Sequence, residues 1–135
     1  MKKLVYFLML MLLFTSCKKE NNARDFKGTY SGTFKTNIGG KIAVSDAELL
    51  LVGDDFKVTK GTKLASGTFK VDDTKSVTFA DKNVWTADFD WNLILNGLYI
   101  YEAKGDSLIL TKIIYSNPAW NTVPVSYQYR LKRSN

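Results

Sequence analysis

The 135 residues carry 19 Lys and Arg against 13 Asp and Glu, a formal charge of +6, with 45% hydrophobic and 24% charged residues and no histidine. That balance belongs to one folded domain rather than a disordered chain. Without histidine there is no Ser-His or Cys-His nucleophile pair and no imidazole metal site. The cationic excess is mild and scattered, with no helix-turn-helix or RNA-binding signature, so it reads as solvated surface and no nucleic-acid partner is expected.

The chain opens on Lys2 and Lys3, then runs apolar from Leu4 to Phe14, then gives Thr15, Ser16 and Cys17. This is the charged, apolar and small-residue order of an export signal. As a helix the apolar run spans roughly 16 Å, about half of the roughly 30 Å a membrane-spanning helix must cross. Cys17 is the only cysteine and has no disulfide partner within the chain. A small residue followed by cysteine at the end of such a signal resembles the bacterial lipoprotein box, although Phe14 stands where Leu, Val or Ile is usual. The resemblance implies removal of residues 1–16 and acylation of the Cys17 thiol, with two or three acyl chains as the membrane anchor. Residues 17–25 then form the lipidated cysteine and a polar tether, and residues 26–135 the folded domain. An envelope location, in the outer membrane, is expected.

From Phe26 the side chains alternate: Phe26, Gly28, Tyr30, Gly32 and Phe34 against Lys27, Thr29, Ser31, Thr33 and Lys35. Period two is the mark of a half-buried strand. Similar runs occur at about 41–52, 56–59, 64–71, 76–80, 93–102, 107–114 and 123–132, giving about eight strands and no helix. Gly53-Asp54-Asp55, Asp72-Asp73-Thr74-Lys75 and Lys104-Gly105-Asp106 read as tight hairpin turns. Short sequential turns make neighbours in sequence neighbours in the sheet. An eight-stranded meander removes its edges by closing, so the expected fold is all-β, an antiparallel up-and-down barrel; a sandwich is the alternative.

"FKGTYSGTF", "NVWTADFDWNLILNGLYIY", "GDSLILTK" and the closing "YQYRLKR" resemble the lipocalin-like domain of small bacterial outer-membrane lipoproteins. In lipocalins and their barrel relatives a Gly-x-Trp on the first strand is capped by a basic residue of the last. The resemblance implies that Tyr30, in Gly28-Thr29-Tyr30, replaces the tryptophan and that Arg130 or Arg133 is the barrel-closing cap.

Two catalytic-looking motifs lack the partners their chemistry needs. "GDSL", 105–108, spells an esterase nucleophile motif, but a serine nucleophile needs a base that this chain lacks. "DFDWN" places Asp88, Asp90 and Asn92 at alternate positions, as in a calcium loop, yet Leu93 and Tyr99 occupy the positions of the glycine and the bidentate glutamate. As a glycosidase pair the two aspartates are uninformative. No catalytic residue, metal site or cofactor is expected, and the chain reads as non-enzymatic.

The tryptophans carry more. Trp85 and Trp91 bracket the long connection between the fifth and sixth strands, and Tyr115 and Trp120 lie in the other long connection. In a meander the connections alternate between barrel ends. Both aromatic loops therefore share one end, and the tight Asp-bearing turns and the tether share the other. Trp85, Trp91, Trp120 and Tyr115 are the candidate ligand-binding residues at the elaborated mouth; alternatively the tryptophans plug it as core. Two functions suit a monomeric, lipid-anchored protein of this kind. It holds a small apolar or amphipathic ligand in the barrel mouth, or it is a protein-interaction module, such as an inhibitor of an envelope-directed hydrolase. A hollow interior favours the first. A barrel filled by Phe34, Phe69, Phe79, Leu95, Tyr99 and Tyr127 favours the second.

Overall fold

A computed structural model describes residues 26–72, 75–114 and 123–134. Eight strands run in chain order: β1 (Gly28–Ile38), β2 (Lys41–Val52), β3 (Asp55–Lys60), β4 (Ser66–Val71), β5 (Ser76–Asp81), β6 (Gly97–Lys104), β7 (Ser107–Lys112) and β8 (Val125–Arg133). Each pairs antiparallel with the next, and β8 returns to β1 to close the barrel. The fold is therefore the all-β up-and-down barrel that the alternation and the turns predict.

Local chemistry explains the hairpins. Gly39 and Gly40 both have positive φ, 61° and 83°, which a two-residue turn of the primed type demands and glycine alone supplies without strain. The turn locks the register Ile38↔Lys41 and carries the β1–β2 ladder down to Gly28↔Leu51. At Gly32 a different constraint acts, because a Cβ there would lie 2.0 Å from the Arg130 carbonyl oxygen. The seam between β1 and β8 closes only because that side chain is missing.

Parity sorts the side chains. Tyr30, Phe34 and Thr36 of β1 point inward, as do Ala47, Leu49 and Leu51 of β2, Phe79 of β5, Tyr99 of β6 and Tyr127, Tyr129 and Leu131 of β8, all of them buried. Aromatic rings interlock across the interior: Phe34 stacks on Tyr129 at 4.4 Å, and Phe79 meets Phe56 at 5.1 Å and Tyr99 at 5.5 Å, both edge-on. These offset and edge-to-face pairs use the ring quadrupole as well as the apolar area. Phe69 and Leu95 are buried with Phe34, Phe79, Tyr99 and Tyr127, so all six side chains expected of a filled barrel lie in the interior.

Most strand ends fall within two residues of the sequence reading, and the largest difference is at the start of the sixth strand. The sixth strand starts at Gly97 rather than Leu93, and Trp91–Leu93 forms a single 3-10 turn. Asp90 caps it by accepting the Asn92 N–H at 2.9 Å. Ile94 and Leu95 are both buried although adjacent, which a strand with one wet face would not permit. They cross the mouth of the barrel instead, and the strand begins only after Asn96 Oδ1 accepts the Asp81 N–H at 3.0 Å.

Candidate binding surface at the loop end

The two barrel ends differ as the alternation of turns requires. At one end lie the tight β2–β3, β4–β5 and β6–β7 turns with Phe26 and the end of β8. The Gly39-Gly40 turn, the β3–β4 turn, the long β5–β6 connection, the end of β7 and the start of β8 occupy the other.

At the loop end, Asp81 organises the long β5–β6 connection. Its carboxylate accepts from the Ser66 N–H at 3.2 Å, the Asn83 amide at 2.6 Å and the Trp85 indole N–H. Trp85 is thereby half-buried with its polar atom satisfied, and its ring meets Phe89 edge-on at 5.9 Å. Lys63 of the β3–β4 turn lies 3.5 Å above the Phe89 ring, a cation–π contact that ties the two connections together. Phe89 in turn lies near-parallel to Trp91, with centroids 6.4 Å apart.

Asp90 fixes the next part of the loop. One carboxylate oxygen holds the Asn92 N–H and the other accepts the Tyr127 hydroxyl from β8. Burial, and then the proton that Tyr127 shares with this carboxylate, push the phenol up to about 12. With Asp90 tied inward to β8, Trp91 is left pointing out, 54% exposed. Behind it the Ile94 carbonyl receives the Tyr99 hydroxyl at 3.4 Å and Lys112 Nζ at 3.5 Å. Burial pulls the Lys112 ammonium below its usual value, and Asp90 partly offsets this. Leu95, fully buried, stoppers the barrel beneath.

Trp85 and Trp91 therefore share one loop but not one role: the first is half packed, the second is displayed. Tyr115, Trp120 and Cys17 lie outside the described residues. Of the two candidate caps, Arg133 holds the position, with Nη2 2.7 Å and Nε 3.2 Å from the Tyr30 hydroxyl and the guanidinium 5.3 Å from the ring centroid. Arg130 is not the cap. It has the outward parity of β8, is exposed, and donates to Gln128 Oε1 at 2.6 Å.

The carboxylates of "DFDWN" are occupied locally, Asp88 by the Thr86 hydroxyl and Asp90 by the Asn92 N–H and the Tyr127 hydroxyl. "GDSL" forms a tight turn, Gly105 at φ 57°, with Ser107 entering a strand opposite Lys104 and Lys132. A cleft of about 640 Å³ opens not at the loop end but at the plain one, between Phe26, Gly53, Asp54, Phe69, Lys70 and Val71. Sequence reasoning missed that cleft, Lys63 and the organising role of Asp81. An aspartate ending one strand four residues before a tryptophan was the available signal for the last.

The fold and this surface define a small closed β-barrel with a packed aromatic interior and a tryptophan displayed at one end. Comparison of the chain with known protein families, with curated proteins and with solved structures finds no match to any of them.

Proposed function

We propose that the chain is an exported, non-enzymatic lipoprotein of the lipocalin-like kind, anchored through Cys17 in the bacterial outer membrane, and that it binds a partner protein with its loop end. The observation that carries the choice of partner is the filled barrel. Phe34, Phe69, Phe79, Leu95, Tyr99 and Tyr127 occupy the interior that a small apolar ligand would need. A rigidly held, exposed indole is the kind of side chain that dominates binding energy at protein interfaces. Trp91 is held by its stack on Phe89 and by the two hydrogen bonds of Asp90. With the anchor at the plain end, Trp91 faces away from the bilayer.

The test compares the full chain with Trp91→Ala in envelope extracts, by photocrosslinking from a probe at Asp88. A specific crosslinked protein that is lost in Trp91→Ala, with an unchanged melting temperature, supports the reading; identical crosslinks in both overturn it. A small amphipathic ligand remains the second reading on one observation, the cleft beside Phe26 and Lys70. Native mass spectrometry of protein extracted from its own membrane would detect such a ligand as a defined added mass.

A further inference from the structure

β2 is twice as long as β3. Of its twelve residues, Lys41 to Leu51 pair with β1, but β3 has six residues and reaches only from Val52 to Glu48. Beyond that point the β3–β4 turn covers the next stretch, through the Lys60–Asp46 ion pair at 2.8 Å and the Ser45–Thr62 hydroxyl contact at 3.1 Å. Residues 41–44 pair with β1 and, among the described residues, have no strand on their other side.

The register shows which backbone groups face that open side. In an antiparallel ladder, hydrogen-bonded and non-hydrogen-bonded pairs alternate. The two-residue Gly39-Gly40 turn makes Ile38↔Lys41 a hydrogen-bonded pair, so Lys41 and Ala43 spend their N–H and C=O on β1. Ile42 and Val44 aim theirs away from it. The turn at the other end agrees, since Val52↔Asp55 closes a two-residue hairpin toward β3 on the same even parity. The side chains of Ile42 and Val44 lie on the outer barrel face, each 60% exposed. Among the described residues these groups have no backbone partner, and open donors and acceptors flanked by branched apolar side chains are what an added strand requires.

We infer that the open edge of β2 at Ile42 and Val44 accepts an extended segment of a partner protein as a ninth strand. This deepens, and rests on, the reading of the chain as an anchored interaction module. The segment is apolar at the alternate positions that lie beside Ile42 and Val44, and acidic where it passes Lys41. The other occupants fit less well. Twofold antiparallel pairing with β2 of a second copy turns one barrel through a half-circle about the sheet normal. It carries the two plain ends, with both Cys17 residues, to opposite sides, which one bilayer cannot accommodate. The chain's own tether is committed at its far end to the bilayer. The edge is also continuous with the loop-end surface: Thr62 touches Ser45 beside it, and the next residue, Lys63, packs on Phe89.

The test is amide hydrogen exchange on the full chain in detergent, with an acetylated peptide alternating valine and threonine after an N-terminal glutamate as probe. At about 1 mM peptide, exchange at Ile42 and Val44 should slow by about tenfold or more while Ala43, already bonded to β1, is unchanged. Val44→Pro removes an N–H only from the open edge and should abolish the slowing; Ile42→Lys with Val44→Lys, which leaves the backbone intact, should do the same if the proline variant is poorly folded. No slowing in the unmodified chain overturns the inference, as does slowing that survives both variants. Slowing that grows with protein concentration in the absence of peptide assigns the edge to a second copy and also overturns it. Trp91→Ala should leave the peptide effect intact, so a failed edge and a failed loop-end surface give different results.

Discussion

Phe79→Ala tests whether the barrel interior is as full as its side chains imply. The ring is 2% exposed and meets Phe56 at 5.1 Å, Phe69 at 5.9 Å and Tyr99 at 5.5 Å. Truncating a buried phenylalanine costs about 3–5 kcal/mol. Three ring pairs of about 0.5–1.5 kcal/mol each are lost with it, which places this site at the upper end of that range. A small domain has only about 5–15 kcal/mol to lose. At about 4–8 °C per kcal/mol, a loss of at least about 4 kcal/mol lowers the melting temperature by at least roughly 16 °C. Thermal melting followed by circular dichroism reads this directly, and a urea titration should lose about 2–3 M of midpoint at unchanged slope. Thr78→Ala, on the exposed face of the same strand, is the control and should stay within about 0.5 kcal/mol. A drop of less than about 5 °C for Phe79→Ala would mean that the ring stands in loose surroundings. The filled-barrel reading would then fail, and the interior would again be open to a small ligand.

Cys17→Ala should abolish labelling by a fatty-acid probe and release the protein from the membrane fraction or leave it as uncleaved precursor; labelling that persists refutes the anchor. Gly32→Ala should unfold or severely destabilise the barrel, because the added methyl meets the Arg130 carbonyl at 2.0 Å. Gly53→Ala, where a Cβ has open space but φ is +59°, should cost only about 1 kcal/mol. Tyr127 predicts alkaline sensitivity: its folded value is raised from 10.0 to about 12, so the stability it contributes is complete below pH 10 and is lost as the pH rises toward 12. The stability difference between the unmodified chain and Tyr127→Phe should therefore shrink across that window in urea titrations, and a constant difference would contradict the burial and the Asp90 contact.

The parts of the fold that were legible are those fixed by local chemistry. Gly53-Asp54 and Gly105-Asp106 announce turns because their glycines take positive φ, and each short turn forces its flanking strands to pair. Alternation from Phe26 to Phe34 locates one wet and one dry face, and parity extends it: with Tyr127, Tyr129 and Leu131 inward, the next inward position of β8 is Arg133, not Arg130. The start of β6 was not legible. Leu93, Ile94 and Leu95 form an apolar run without a period, which suits a strand as well as a buried crossing. The crossing wins because the barrel mouth needs filling and because Asp90 caps a turn just before it.

The candidate surface depended on distances in sequence that no local pattern reports. Trp85 and Trp91 are alike as residues, yet Asp81 draws one inward and Asp90 turns the other out. The second effect depends on Tyr127, 37 residues away across the closed barrel. Asp90 could have been read as a calcium ligand or a catalytic acid, and its two hydrogen bonds instead make it the reason an indole is displayed. The open edge of β2 was within reach of the sequence, since a twelve-residue run at about 41–52 beside a four-residue one at about 56–59 cannot be paired throughout. What the sequence lacked was the direction in which the chain turns after Lys60. Glycine at 61, with φ 153°, turns the chain so that Thr62 still touches Ser45 while Lys63 packs on Phe89, and among the described residues Ile42 and Val44 are then left with a strand neighbour on the β1 side alone.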